Sequence, residues 1–77
     1  MDGAAVWIEA GCADCHTLRA AVASGTTGPN LDQVKPSQEE VAQQVREGGG
    51  GMPSFREQLS DEEIEAVAQY VAESAGG

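Results

Sequence analysis

The chain has 77 residues, which suits one small domain but is marginal for a hydrophobic core built from side chains alone. Thirteen Asp and Glu residues against four Lys and Arg give a net charge of −9, which argues against binding to nucleic acid or an anionic membrane surface. The chain has one Trp, one Tyr and one Phe, and no apolar run approaches the ~20 residues of a membrane span. This composition favours a bound cofactor that supplies apolar surface from outside the sequence.

The first predicted helix runs over about residues 2–14, with Gly3 and Trp7 on one of its sides. Its end overlaps the motif Cys12-Ala13-Asp14-Cys15-His16, which has the C-x-x-C-H pattern of c-type haem attachment. In such a site each thiol adds across one vinyl group of the porphyrin, and the His becomes an axial ligand of the iron. The motif therefore predicts one covalent haem held through Cys12 and Cys15, with His16 as the first ligand.

Two other uses of a C-x-x-C pair are compatible with these five residues. Zinc usually takes four ligands, of which Cys12, Cys15 and His16 supply three and a carboxylate would have to supply the fourth. A thioredoxin-like dithiol expects a βαβ context, and the helical pattern of this chain argues against it.

A long loop is predicted over residues 23–36, which contain three glycine or proline positions before Pro36. Loops of this length in a small domain typically wrap a ligand. The ring nitrogen of His16 that does not face the iron should need a hydrogen-bond acceptor. A backbone carbonyl in the turn Gly28-Pro29-Asn30-Leu31 is the candidate acceptor.

Capping boxes at Ser37 with Glu40 and at Ser60 with Glu63 predict the starts of a second and a third helix. The second helix stops at Gly48. The third carries an apolar stripe at helical spacing, formed by Ile64, Val67, Ala68 and Val71. It ends at the glycine pair Gly76-Gly77. No strand pattern is long enough for a sheet, so the predicted class is all-α.

Met52 is the candidate second axial ligand, because Met1 can be set aside as an initiator. Four glycines precede Met52, and glycine lets a backbone run close to a flat ligand. Pro53 favours an extended conformation at Met52. A thioether in the sixth position would close the iron site and favour the ferrous state.

The chain resembles the small bacterial class I cytochromes c over nearly its whole length. Residues 11–16 look like the haem-binding turn of that family, and Gly28-Pro29-Asn30-Leu31 resembles its G-P-x-L loop. Residues 44–55 are similar to the methionine-ligand loop of cytochrome c6 and its relatives, and residues 59–71 resemble the C-terminal helix.

The resemblance implies a compact cytochrome c fold in which three main helices and loops wrap one haem, with residues 1–77 as one domain. It implies thioethers at Cys12 and Cys15, axial ligation by His16 and Met52, and a bond from His16 to the Pro29 carbonyl. It also implies a Gln44 near the haem, and Gly3 and Trp7 where the first helix crosses the last.

The function implied is transfer of single electrons between redox partners in a respiratory or photosynthetic chain, without enzymatic chemistry. The alternatives are a haem domain of a larger oxidase or reductase, or a sensor or peroxidase-like protein with a labile Met52. The acidic surface suggests a partner with a basic docking face. We expect an extracytoplasmic monomer whose export signal or membrane anchor has been removed, since haem is normally attached outside the cytoplasm.

Overall fold

The computed structural model describes residues 2–26 and 28–76, so predictions that involve Met1, Thr27 or Gly77 lie outside the described residues. Within them, α1 (Gly3–Glu9) crosses the long C-terminal helix α4 (Asp61–Ser74). A side chain at Gly3 would collide with the Ala66 carbonyl oxygen and the Tyr70 Cβ, so only glycine permits this approach. The rings of Trp7 and Tyr70 meet edge to face with centroids 6.2 Å apart. The predicted crossing of the first helix on the last is confirmed.

The first helix ends earlier than predicted. Asp2 caps it by accepting a hydrogen bond from the Ala4 N–H at 3.0 Å, but the helix stops at Glu9 rather than at residue 14. Gly11 follows in the left-handed conformation, with φ at 73°, which ends the helical path. Cys12–Asp14 then forms a separate 3₁₀ turn. Sequence periodicity did not detect this break, because the residues on both sides are compatible with a helix.

The two predicted capping boxes are both present. Ser37 caps α3 (Gln38–Glu47), with the Glu40 carboxylate accepting from the Ser37 N–H at 2.9 Å. Ser60 caps α4 in the same way, with the Glu63 carboxylate accepting from the Ser60 N–H at 2.8 Å. The second helix ends at Gly48 as predicted, and the third ends at Ser74, just before the predicted glycines.

The region between the first and second predicted helices contains four short elements, which are two strands, the 3₁₀ turn Arg19–Ala21 between them and a short helix. Strands β1 (Thr17–Leu18) and β2 (Ala23–Ser24) pair as an antiparallel hairpin, and α2 (Leu31–Val34) follows the Gly-Pro turn. The prediction that no sheet would form is wrong in this detail. Two-residue strands are too short to produce an alternating pattern in the sequence.

The core lies between α1, α3 and α4 and extends to the hairpin and the loop before α4. Its buried apolar residues are Val6, Trp7, Leu18, Ala23, Val41, Ala42, Val45, Phe55, Ile64, Val67, Ala68 and Val71. Most are small or β-branched, as the composition indicated. No helix among the described residues is long and apolar enough to cross a membrane.

Candidate functional site

The C-x-x-C-H residues occupy one tight turn after α1. The amide N–H groups of Cys15 and His16 both approach the Cys12 carbonyl oxygen, at 3.3 and 3.1 Å. The turn gives the two thiols different surroundings, because Cys12 is half-buried against the core and Cys15 is exposed. The pair therefore presents one sulfur toward the protein interior and one at the surface.

Burial changes the chemistry of the inner thiol. Removal of the Cys12 side chain from water disfavours its charged form and raises the pKa of its thiol to about 11. The negative charge of Asp14 acts in the same direction. Before haem attachment Cys12 is consequently a neutral thiol near pH 7, in contrast to the low-pKa thiolate of a redox dithiol.

The predicted acceptor for His16 is present. The His16 Nδ1 lies 2.9 Å from the Pro29 carbonyl oxygen, which fixes the ring orientation and identifies Nε2 as the nitrogen for a metal. Gly28 lies against the ring, since a Cβ there would be 2.7 Å from His16 Cε1 and 2.9 Å from Nδ1. The Gly28 N–H donates to the Cys15 carbonyl oxygen, so the two segments are also joined through their backbones.

Met52 is the last residue of a tight turn that begins at Gly49. The Gly49 N–H donates to the Met52 carbonyl oxygen at 2.9 Å, and the Met52 N–H donates to the Gly49 carbonyl oxygen at 3.1 Å. The two central residues, Gly50 and Gly51, have φ values of 61° and 91°, as in a type I′ turn. Met52 itself is partly buried and packs against the core. The glycine run is therefore an ordered hairpin turn that presents a methionine.

Side chains and backbone groups from α3 hold this turn on both sides. Gln44 Nε2 donates to the Gly49 carbonyl oxygen at 3.2 Å, so the residue predicted to lie near the haem contacts the Met52 turn. Beyond Met52, Ser54 Oγ donates to the Arg46 carbonyl oxygen at 2.7 Å. Sequence reasoning did not identify Ser54, because a serine after a proline carries no signal of a contact with a preceding helix.

The donor set fits a c-type haem. Two thiols, an imidazole with its second nitrogen already bonded, and a thioether are the groups that such a haem takes. Because Gly28 has no Cβ, its backbone packs directly against the His16 ring. Among residues 2–26 and 28–76, no group of three or more His, Cys, Asp and Glu side chains could together hold a metal ion.

Comparison with known sequences identifies the family. The family model described as cytochrome c oxidase, cbb3-type, subunit III matches residues 1–71. Cytochrome c6 of Microcystis aeruginosa is 42% identical over 78 residues, which cover 96% of this chain and 95% of that relative. Cytochrome c6 of Leptolyngbya boryana is 34% identical over 71 residues, which cover 87% and 84%.

Solved structures give the same result. The c-type cytochrome SorU from Sinorhizobium meliloti has a TM-score of 0.91 and 51% identity, with 96% of this chain and 87% of that chain covered. Cytochrome c6C from Synechococcus sp. PCC 7002 has a TM-score of 0.71 and 35% identity, with 96% and 94% covered.

These likenesses confirm the predicted helical cytochrome fold, the covalently bound haem c and the role in haem-based electron transfer. The chain belongs to the c-type cytochromes, in the family whose model is described as cytochrome c oxidase, cbb3-type, subunit III.

Proposed function

We propose that this chain is one monohaem domain, residues 1–77, that passes single electrons between redox proteins. In this proposal Cys12 and Cys15 form the two thioether bonds, and His16 and Met52 are the axial ligands. The haem iron, when bound, supplies the one-electron change between its ferrous and ferric states. The protein residues hold that centre in one geometry.

The observation that carries this proposal is the hydrogen bond between His16 Nδ1 and the Pro29 carbonyl oxygen. A carbonyl can only accept, so the bond places the ring proton on Nδ1 and leaves the Nε2 lone pair for a metal. The bond also makes Nε2 a stronger electron-pair donor to a metal, because the carbonyl oxygen draws the Nδ1 proton away from the ring. A histidine oriented in this way directly after two thiols suits the proximal side of a c-type haem.

The Met52 turn supports a ligand that stays bound rather than a labile one. Two backbone hydrogen bonds close the turn, and Gln44 adds a third contact at Gly49. A ligand held in both oxidation states leaves no open position for a substrate. We therefore infer an electron carrier without enzymatic activity, in preference to a sensor or a peroxidase-like protein.

Electrons would leave near Cys15 and the tip of the Met52 turn. Cys15 is exposed, and a Cβ at Gly50 or Gly51 would meet no atom within 4 Å. A partner can therefore approach this part of the surface closely, since no side chain of the turn tip stands in the way.

We propose a redox partner with a basic docking face. The start of α4 exposes Asp61, Glu62 and Glu65, and Arg46 neutralises this group only in part, at 3.8 Å from Asp61 and 3.6 Å from Glu65. Opposite charges on two partners accelerate their encounter. Association that slows as salt rises would support this face, and salt-independent rates would contradict it.

The family description refers to an oxidase subunit, so a haem domain of a larger oxidase is the related possibility for the natural context of this chain. In either case we propose an extracytoplasmic location, since attachment of haem to C-x-x-C-H normally takes place there. We also propose that the domain acts as a monomer.

Replacement of Met52 tests the ligand set. We expect Met52→Ala to keep its covalent haem, to lose the methionine–iron charge-transfer band and to bind carbon monoxide when reduced. Met52→His is the matched control, because it restores a sixth ligand and should again exclude carbon monoxide. Unchanged axial ligation in Met52→Ala would refute the assignment.

A further inference from the structure

Asp32 is the buried charged residue of the described part of the chain, with 7% of its surface exposed. One carboxylate oxygen accepts a hydrogen bond from the Arg19 N–H at 2.8 Å, and the other accepts from the Gly76 N–H at 2.8 Å. These bonds favour the ionised form of the carboxyl and hold the pKa of Asp32 below its usual value. The carboxylate thus joins the segment after His16 to the end of α4.

The Arg19 contact is the last of a regular series between residues 15–19 and 28–32. Each contact joins partners thirteen positions apart. The contacts are Gly28 N to Cys15 O at 2.6 Å, His16 Nδ1 to Pro29 O at 2.9 Å, Thr17 beside Asn30 in parallel pairing, and Arg19 N to Asp32 Oδ2 at 2.8 Å. One register therefore fixes all of them.

The bond that orients His16 depends on this register. A shift of the second segment by one residue would move the Pro29 carbonyl away from Nδ1, as any register shift reassigns every partner. Backbone pairing stops at Asn30, which caps α2, so a backbone carbonyl no longer meets the Arg19 N–H. The Asp32 carboxylate takes that place and extends the pairing beyond the strand.

The ion pair between Asp32 and the Arg19 side chain is not what holds this register. Arg19 Nε lies 4.0 Å from the carboxylate, and the Arg19 side chain is 74% exposed, so water screens the attraction. The two backbone N–H donors make the specific contacts, each with a different carboxylate oxygen. A short side chain with two acceptor oxygens is needed to bind both donors at once.

We propose that Asp32 is a positioning residue for His16, which acts by locking the register that carries the Pro29 acceptor. The inference rests on the proposed function, because it takes His16 as the proximal ligand. If so, a change in the geometry of residue 32 should weaken the hydrogen bond of His16 Nδ1–H. The midpoint potential should change with it.

The test compares variants of the haem-loaded protein. Asp32→Glu keeps the charge but adds a methylene to a buried side chain, and Asp32→Asn keeps the shape but replaces one acceptor by a donor. Asp61→Glu and Asp61→Asn are the matched controls at an exposed carboxylate. Nitrogen-15 NMR of the reduced protein gives the exchange rate of the His16 Nδ1 proton, and a redox titration gives the midpoint potential.

We expect both Asp32 variants to accelerate exchange of the His16 Nδ1 proton by about tenfold, the change that corresponds to the loss of one hydrogen bond. The potential should rise in Asp32→Glu although the charge is kept, because a weaker Nδ1–H bond makes the imidazole a poorer donor to ferric iron. The Asp61 variants should leave the exchange rate unchanged.

Two results would overturn the inference. One is an Asp32→Glu protein with wild-type exchange and potential. The other, which applies also if Asp32→Glu does not fold, is an Asp32→Asn protein with wild-type exchange and a potential shifted no more than in Asp61→Asn. The proposed function fails separately, if the wild-type spectrum lacks the Nδ1 proton of an iron-bound imidazole.

Discussion

Gln44 donates its side-chain amide to the Gly49 carbonyl oxygen across 3.2 Å, and this bond ties α3 to the turn that carries Met52. The backbone pair between Gly49 and Met52 transmits this tie to the methionine itself. Gln44 therefore supports the proposed sixth ligand from a position one turn before the end of α3.

We expect Gln44→Ala to loosen Met52 without releasing the haem. Loss of this exposed hydrogen bond is worth about 0.5 kcal/mol, or about a twofold increase in the affinity of an external ligand such as imidazole for the ferric iron. Titration with imidazole measures this affinity. Gln43→Ala is the control, because Gln43 is exposed on the same helix. Equal affinities in the two variants would argue against a supporting role for Gln44.

Gly28→Ala should disturb His16 directly. The added methyl would lie 2.7 Å from the ring carbon Cε1, so either the ring or the loop has to move. Overpacking of this kind costs about 1 to 3 kcal/mol, which denaturant unfolding of the haem-loaded protein measures.

Gly50→Asn provides the comparison for Gly28→Ala. Position 50 has open space and a φ of 61°, which Asn tolerates, so the expected loss is below about 1 kcal/mol. A larger loss at position 50 than at position 28 would contradict the close fit between Gly28 and His16.

Stability should fall in acid because two carboxyl groups bind protons less readily in the folded protein. The Ser37 N–H lowers the pKa of Glu40 from its ordinary 4.5, and the Gly76 and Arg19 N–H groups lower the pKa of Asp32 from its ordinary 3.8. Such groups stabilise the fold above their unfolded pKa values, and this contribution disappears as pH falls through the lower folded values.

Melting temperatures recorded from about pH 7 to pH 2 test this prediction. We expect the temperature to decline below about pH 4, and Glu40→Gln to show a shallower decline, since it has one carboxyl fewer to protonate. A melting temperature that stays level or rises over this acid range would contradict the argument.

The Trp7 indole N–H is buried and has no hydrogen-bond partner among the described residues. The Trp7 ring is buried and meets the Tyr70 ring edge to face, so we expect the side chain to stabilise the protein mainly through packing on α4. We expect Trp7→Ala to destabilise the protein by about 3 to 5 kcal/mol, and Trp7→Phe by less than half as much, because the edge-to-face pair is kept. Equal losses in denaturant unfolding would show instead that the N–H makes a bond essential to the fold.

Local signals in the sequence predicted the local parts of the structure. Both capping boxes involve residues three positions apart, whereas the break at Gly11 between α1 and the Cys12–Asp14 turn carried no such signal. The contacts of Asp32 with Arg19 and Gly76 span 13 and 44 positions, and no pattern of residue types announces them. The place of Gln44 near the haem stays a prediction, and its bond to the Gly49 carbonyl oxygen was not predicted, because a likeness to relatives suggests a neighbourhood but not the atom that a side chain contacts.

We propose that His16 and Met52 are the axial ligands of a haem that is attached through Cys12 and Cys15. The most direct test is the visible spectrum of the purified protein, oxidised and reduced, before and after acid–acetone extraction. We predict a colour that stays with the protein, a low-spin six-coordinate pattern and a methionine–iron charge-transfer band. A colourless protein, or a haem that the solvent extracts, would contradict the account.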